Sequence, residues 1–196
     1  MEKEKFKLKK LEELLIEVSL KIAKRGEGAV FVVGEVENSP LVEQGVPEFN
    51  VFDNPKLLES LALMDGAVII SKDGYMKSYG VMIKSSKVLK NFGTRHSAAI
   101  SASMIKGNLV VAVSEEDKKI RIMSEGNVVM QIDALQKDVE KSVPEAIILL
   151  ESVGAGTVGA IGTGIVVPSL GITLLPGIIL FGSAYYLMRF LNNRKK

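Results

Sequence analysis

Val68-Ile69-Ile70-Ser71-Lys72-Asp73-Gly74-Tyr75-Met76-Lys77-Ser78-Tyr79-Gly80-Val81-Met82-Ile83 is an apolar β-branched run, a turn tripeptide and a longer run mixing aromatic, apolar and polar residues. Lys72-Asp73-Gly74 is turn chemistry, so residues 68–71 and 75–83 are expected to pair as an antiparallel hairpin. A hairpin here matters because strictly alternating strands and helices would leave no two strands adjacent in sequence. Upstream of this hairpin, residues 29–33 form a short β-branched and aromatic run bounded by glycines, the pattern of a buried strand. Leu8, Leu11, Leu14, Leu15, Val18 and Ile22 recur at helical spacing with Lys and Glu between them, which predicts an amphipathic helix over residues 6–24, ended at Gly26. Asn54-Pro55 opens a second helix running to about Leu63. On the other side, residues 96–106 read as a helix of small residues and 109–113 as another buried strand. Residues 120–124 and 128–132 pair across Glu125-Gly126-Asn127. The sum is an α/β chain with a mixed β-sheet flanked by helices.

The chain has 196 residues, 47% of them hydrophobic, and no cysteine. Thiol catalysis, disulfide staples and cysteine-held metal centres are thereby excluded. Lys and Arg total 25 against 23 Asp and Glu, but the charges are segregated. No acid lies beyond Glu151, whereas Arg189, Arg194, Lys195 and Lys196 do. The globular part is therefore slightly acidic, which argues against nucleic acid as a partner. The first residues are charged and contain no apolar signal segment.

Between Ser152 and Met188 there is no charged residue, a run well beyond the roughly 20 residues that cross a hydrocarbon core once. Residues 168–171, Pro-Ser-Leu-Gly, divide it. A C-terminal transmembrane helical hairpin is expected, with one span from about Ala146 to Val167 and another from about Ile172 to Leu191. A single tilted span is the alternative. Gly156, Ala160 and Gly164 share one helix face that permits close packing. The basic tail places the C-terminus, and with two spans the domain, on the cytoplasmic face of the cell membrane. The literal G-x-G-x-x-G at 154–159 lies inside this apolar run, without the strand and helix that its nucleotide-binding meaning needs. The resulting division is an N-terminal helix (1–24), a nucleotide-binding domain (25–135), a linker (136–145) and a membrane anchor (146–191).

Three polar clusters fall where elements begin or end, the places where α/β proteins put their sites. Asp65-Gly66-Ala67 sets a carboxylate beside a glycine at the head of a buried strand, suited to a divalent cation or to taking a hydroxyl proton. As a bare dipeptide, Asp-Gly also reads as an ordinary turn. Gly93-Thr94-Arg95-His96 enters a helix, so a hydroxyl, a guanidinium, an imidazole and backbone N–H groups converge as in a polyphosphate site. Its plain reading is a capped helix with surface charges. Ser114-Glu115-Glu116 ends a strand and offers a hydroxyl and two carboxylates. His96 is the one histidine in the chain, which removes multi-histidine metal sites.

The order of Asp65-Gly66-Ala67, then Gly80, then Gly93-Thr94-Arg95-His96-x-Ala98-Ala99, then Val113-Ser114-Glu115-Glu116 resembles the diadenylate cyclase domain family, in the form found at the N-terminus of DNA-integrity scanning proteins. The resemblance covers roughly residues 25–135. It implies condensation of two ATP molecules into cyclic di-AMP, with release of two pyrophosphates, a Mg2+ or Mn2+ ion, and a face-to-face homodimer. Carried over position by position, Asp65, Arg95 and His96 are the expected catalytic residues. Gly66, Ala67, Gly80, Met82, Ile83, Gly93, Thr94 and Ser114 are expected to bind the nucleotide, and Asp65, Glu115 and Glu116 the metal. Two positions depart from the family pattern. Ser97 stands where an Arg commonly follows the His, and Val81, Met82 and Ile83 follow Gly80 where an aromatic is common. A catalytically silent sensor of adenine nucleotides at the lipid bilayer is the alternative reading. A channel built from the apolar run is disfavoured, because no ionisable residue in it marks an ion path.

Overall fold

The computed structural model describes residues 2–84, 94–137, 139–140 and 143, together with 166–167 and 172–174; residues 2–6, 166–167 and 172–174 are described by their backbone alone. The leucine stripe near the N-terminus forms helix α1 (Glu2–Lys24). It ends where Gly26 and Glu27 donate back to the carbonyls of Ala23 and Ile22, a Schellman turn that satisfies the last carbonyls. Strand β1 (Ala29–Val33) is buried along its whole length. Two short strands, β2 (Asn38–Pro40) and β3 (Phe49–Asn50), precede helix α2 (Pro55–Ala62), which starts at Pro55 as its sequence suggests. Then come β4 (Ala67–Ile70), β5 (Tyr75–Ile83), helix α3 (Thr94–Ser103), β6 (Leu109–Val113), β7 (Lys119–Ser124) and β8 (Asn127–Asp133).

The strands form one sheet in the order β2-β5-β4-β1-β6-β7-β8, with β3 also paired to β5. β1 and β4 are parallel and the other pairs antiparallel, so the sheet is mixed, as expected. The chain makes that parallel pair by leaving β1, running through β2, β3 and α2, and returning. Residues alternate between two faces. Phe31, Val33, Val68, Ile70, Val111 and Val113 pack with Leu11, Leu15 and Ile22 of α1 and Leu58 of α2. Val30, Val32, Ile69, Val110 and Ala112 pack under Ala99 and Ala102 of α3. Both faces are covered, which explains why β1 and β6 read as continuous apolar runs rather than alternating ones.

The sheet also extends beyond β8. Strands β9 (Val166–Val167) and β10 (Ile172–Leu174) pair with each other, and β10 pairs with β8, Ile172 opposite Ile132 and Leu174 opposite Met130. The expected helical hairpin ended one span at Val167 and began the next at Ile172, and the structure corrects it at those positions. Val166, Val167, Ile172 and Thr173 are β-branched, and β8 offers them an edge to cover. Among the described residues no helix is long and apolar enough to cross a membrane. The rest of the expected anchor, 146–165, 168–171 and 175–191, lies outside the described residues, as does half of the linker.

Candidate functional site

The mixed topology gathers residues that are distant in sequence. Ala29 of β1 lies opposite Val113 of β6, and the parallel partner β4 starts at the same end, where Ala67 faces Val81 of β5. Gly28, Asp65-Gly66 and Ser114–Asp117 thus meet at one end of the sheet. Helix α3 begins there as well, with Thr94 and Arg95 in its first turn.

Gly66 has φ +103°, and a Cβ on it would lie 2.7 Å from both the backbone N and O of Val81. This close approach fits glycine alone and swings Asp65 out at the strand head, where its side chain is 87% exposed and accepts from the Gly66 N–H at 3.1 Å. Arg95 faces it. Its guanidinium lies 3.8 Å from Asp65 Oδ1 and 3.0 Å from Glu115 Oε2, a cation set between two carboxylates. A Cβ at Gly28 would come within 2.6 Å of Arg95 Nη1, so the guanidinium rests on the bare backbone just before β1.

Beside these groups is a cavity of about 340 Å³, in the lower range of small-molecule sites. Val30, Leu41, Ala67, Val81 and Ala98 give it apolar walls, while Asp65, Thr94 and Arg95 bring charge and a hydroxyl. Gly66, Met82 and Ile83 line it as well, as does Ser97. Leu41 reaches the wall from the loop after β2, held by its N–H to the Gly80 carbonyl at 2.8 Å. Farther along that loop, the Gln44 side chain donates to the Tyr79 carbonyl and accepts from its N–H, mimicking one more residue of strand against β5.

Asp65, Gly66, Ala67, Met82, Ile83, Thr94 and Arg95 therefore line one cavity. Gly80 sits behind the wall, packed against Val42 and the Asp65 carbonyl. Gly93 lies outside the described residues. Ser114 and His96 do not line the cavity. Ser114 is buried, and its Oγ accepts from the Asp117 N–H at 3.4 Å. His96 Nε2 lies 2.9 Å from Arg121 Nη1, on the side of α3 that covers β7. Arg121 in turn forks onto Asp117, with Nη1 3.3 Å from Oδ1 and Nη2 bonded to Oδ2. Burial, and secondly the Arg121 cation, hold the His96 pKa below its ordinary value against the opposing pull of Asp117 and Glu116. Burial pushes Asp117 upward, but hydrogen bonds from Arg121 and Ser114 and the Arg121 charge outweigh it, so that carboxyl falls below its usual range.

The expected metal trio takes a different form. Among the described residues no three His, Asp or Glu side chains converge to hold an ion unaided. Asp65 and Glu115 are joined through Arg95, whose one positive charge lies between the two carboxylates and leaves the trio with a net negative charge. What remains, an exposed carboxylate at the mouth of the cavity, suits Mg2+ or Mn2+ only together with phosphate oxygens, the usual way such ions sit in nucleotide sites. Gly28, Leu41, Asp117 and Arg121 escaped the sequence reading. Gly28 alone had a visible signal, a second glycine two residues after the helix-ending Gly26.

Fold and site define an α/β protein with an apolar-walled cleft of about 340 Å³ whose mouth carries an acid, a hydroxyl and a guanidinium. The family model described as DisA bacterial checkpoint controller nucleotide-binding matches residues 17–128, more than half of the chain, and the chain belongs to this family. It is 35% identical over 109 residues to the DNA integrity scanning protein DisA of Corynebacterium efficiens, covering 54% of this chain and 31% of that protein. It is 31% identical over 146 residues to a diadenylate cyclase of Methanocaldococcus jannaschii, covering 67% of this chain and 47% of that one. The chain thus spans less than half the length of either relative. A crystal structure of a double mutant of DacA from Staphylococcus aureus aligns with a TM-score of 0.47 and 22% identity, over 73% of this chain and 94% of that one.

Proposed function

We propose that this chain is a diadenylate cyclase that joins two ATP molecules into cyclic di-AMP. The observation that carries the reading is the convergence of Asp65, Thr94 and Arg95 on one cavity with apolar walls. The adenine would lie between Val30, Val81 and Ala98, with Met82 as a flexible, polarizable cover. Thr94, Arg95 and the N-terminus of α3 would hold the phosphates. Asp65 would orient the 3′-hydroxyl and, with phosphate oxygens, hold the divalent cation. When bound, Mg2+ or Mn2+ neutralises charge that builds on the phosphates and makes the hydroxyl more acidic.

Each 3′-hydroxyl oxygen bonds the α-phosphorus of the other ATP while pyrophosphate leaves, so two ATP give one cyclic di-AMP, two pyrophosphates and two protons. Such a step needs positioned charge more than covalent help from the protein. A cavity of this size takes one nucleotide, and the product has twofold symmetry, so two chains would meet mouth to mouth in a C2 dimer. The charge-free run from Ser152 to Met188 supports attachment to a bilayer, with the domain and the basic tail on the cytoplasmic side. Because β9 and β10 join the sheet, the attachment is read without the two complete crossings.

A silent nucleotide sensor is the second reading, and Ser97 favours it: this buried hydroxyl lines the cavity where the family pattern has a cation. Incubating the full chain with ATP and Mn2+ or Mg2+ separates the two. Cyclic di-AMP from the wild type and none from Asp65→Asn supports the enzyme, whereas ATP binding with no product supports the sensor.

A further inference from the structure

His96 projects from α3 toward β7, where Arg121 is largely buried, with a side chain 15% exposed. Guanidinium groups carry donors and no acceptor, so the 2.9 Å contact between Arg121 Nη1 and His96 Nε2 requires that nitrogen to accept. The neutral ring must then carry its proton on Nδ1. Arg121 is itself held in place. Its fork onto Asp117 fixes the guanidinium plane, and Asp117 is tied down by the Lys119 N–H on Oδ1 at 3.3 Å and by Ser114. Ser114, Asp117, Arg121 and His96 form one continuous relay from the β6–β7 turn to the first turn of α3. The charged groups acting on His96 are Arg121 from β7 and Asp117 and Glu116 from that turn.

We propose that Arg121, braced by Asp117, is a positioning residue that fixes His96 as its Nδ1–H tautomer. The relay explains why Ser114 and His96 lie off the cavity wall while Thr94 and Arg95, their neighbours in space and sequence, line it. It makes Arg121 part of the machinery that sets the geometry of the first turn of α3. The inference rests on the cyclase reading in giving His96 a part in turnover, but its central readout is independent of activity.

Because the chain has a single histidine, the two imidazole nitrogens of 15N-labelled full-length protein are identified without further variants. The wild type is expected to show a protonated Nδ1 and an unprotonated Nε2 at neutral pH. Arg121→Ala is expected to bring the two signals toward an averaged pair and to lower kcat for cyclic di-AMP about tenfold or more, with KM for ATP changed by less than about threefold. Arg121→Lys, which keeps a donor, is expected to recover part of both. Should Arg121→Ala fail to fold, Asp117→Asn loosens the same guanidinium and shifts the nitrogens in the same direction. A proton on Nε2 in the wild type, or an unchanged nitrogen pattern after Arg121 or Asp117 is replaced, overturns the proposal. The stated tautomer in a chain that makes no cyclic di-AMP upholds the positioning of His96 and removes the enzyme reading alone.

Discussion

Arg95 holds the candidate site together at the level of single residues. It lies between Asp65 and Glu115 and rests on Gly28. Replacing Gly28 with Ala puts a methyl group 2.6 Å from Nη1 and 3.3 Å from the Val113 carbonyl, and the guanidinium must move. Gly28→Ala is therefore expected to raise the ATP concentration for half-saturation about tenfold, equivalent to about 1.4 kcal/mol, with little change in thermal stability; calorimetric titration and a melting curve check the two parts. His96 carries a pH dependence. Its pKa is lowered in the folded state, chiefly by burial and then by Arg121. The unfolded chain then binds the proton more readily, so stability from the neutral ring is fully present above the ordinary histidine value near 6.5 and is lost as pH falls through the lowered folded value. Urea midpoints measured from about pH 8 to about pH 5 are expected to drop more steeply in the wild type than in His96→Gln.

Among the elements, the β4–β5 hairpin does two jobs: it pairs the sheet and it delivers Asp65 to the cavity. Gly66 joins the two tasks, since its positive φ and its contact with Val81 leave no room for a Cβ. Gly66→Ala is expected to destabilise the fold by roughly 1–3 kcal/mol and to abolish detectable nucleotide binding, as read by denaturant unfolding and ATP titration on the same sample. This hairpin, α1, α2, β1, β6 and the β7–β8 pair were legible in the sequence, because each has a helical period, an N-terminal Pro, a turn tripeptide or an unbroken β-branched run. Strands β2 and β3 were not. Residues 34–48 are polar and broken by Gly and Pro, and their pairing comes from tertiary grips such as Gln44 on Tyr79. Leu41 therefore entered the cavity wall unannounced. The Asp117–Arg121–His96 relay was equally hidden, since Arg121 reads as an ordinary outward residue on an alternating strand until α3 is laid over it. The strands at 166–167 and 172–174 were missed for the opposite reason: an uninterrupted apolar run reads as lipid-facing whatever pairs with it.

For the whole molecule, a topology with one parallel pair among antiparallel ones brings β1, β4 and β6 ends together, and this makes a single cleft from short polar clusters. The motif order in the sequence identified the family, while the geometry divided the motif residues between the cleft and the relay behind it. If two such clefts must face each other, turnover depends on encounters between chains. Full-length protein in liposomes is expected to show higher specific activity than the same total protein dispersed in detergent at high dilution, because confinement to a surface raises effective concentration. Equal specific activity in both, at every dilution, would argue against encounter-limited turnover.

One ATP is expected to occupy the cavity lined by Asp65, Met82 and Arg95. A methyl-detected NMR titration of the full chain with a non-hydrolysable ATP analogue tests it directly, since Met82 is exposed in that cavity while Met130 is buried under the other face of the sheet. The Met82 methyl is expected to shift and to saturate at one analogue per chain, with Met130 nearly unmoved. A saturating analogue that leaves the Met82 methyl unshifted would place the nucleotide outside this cavity.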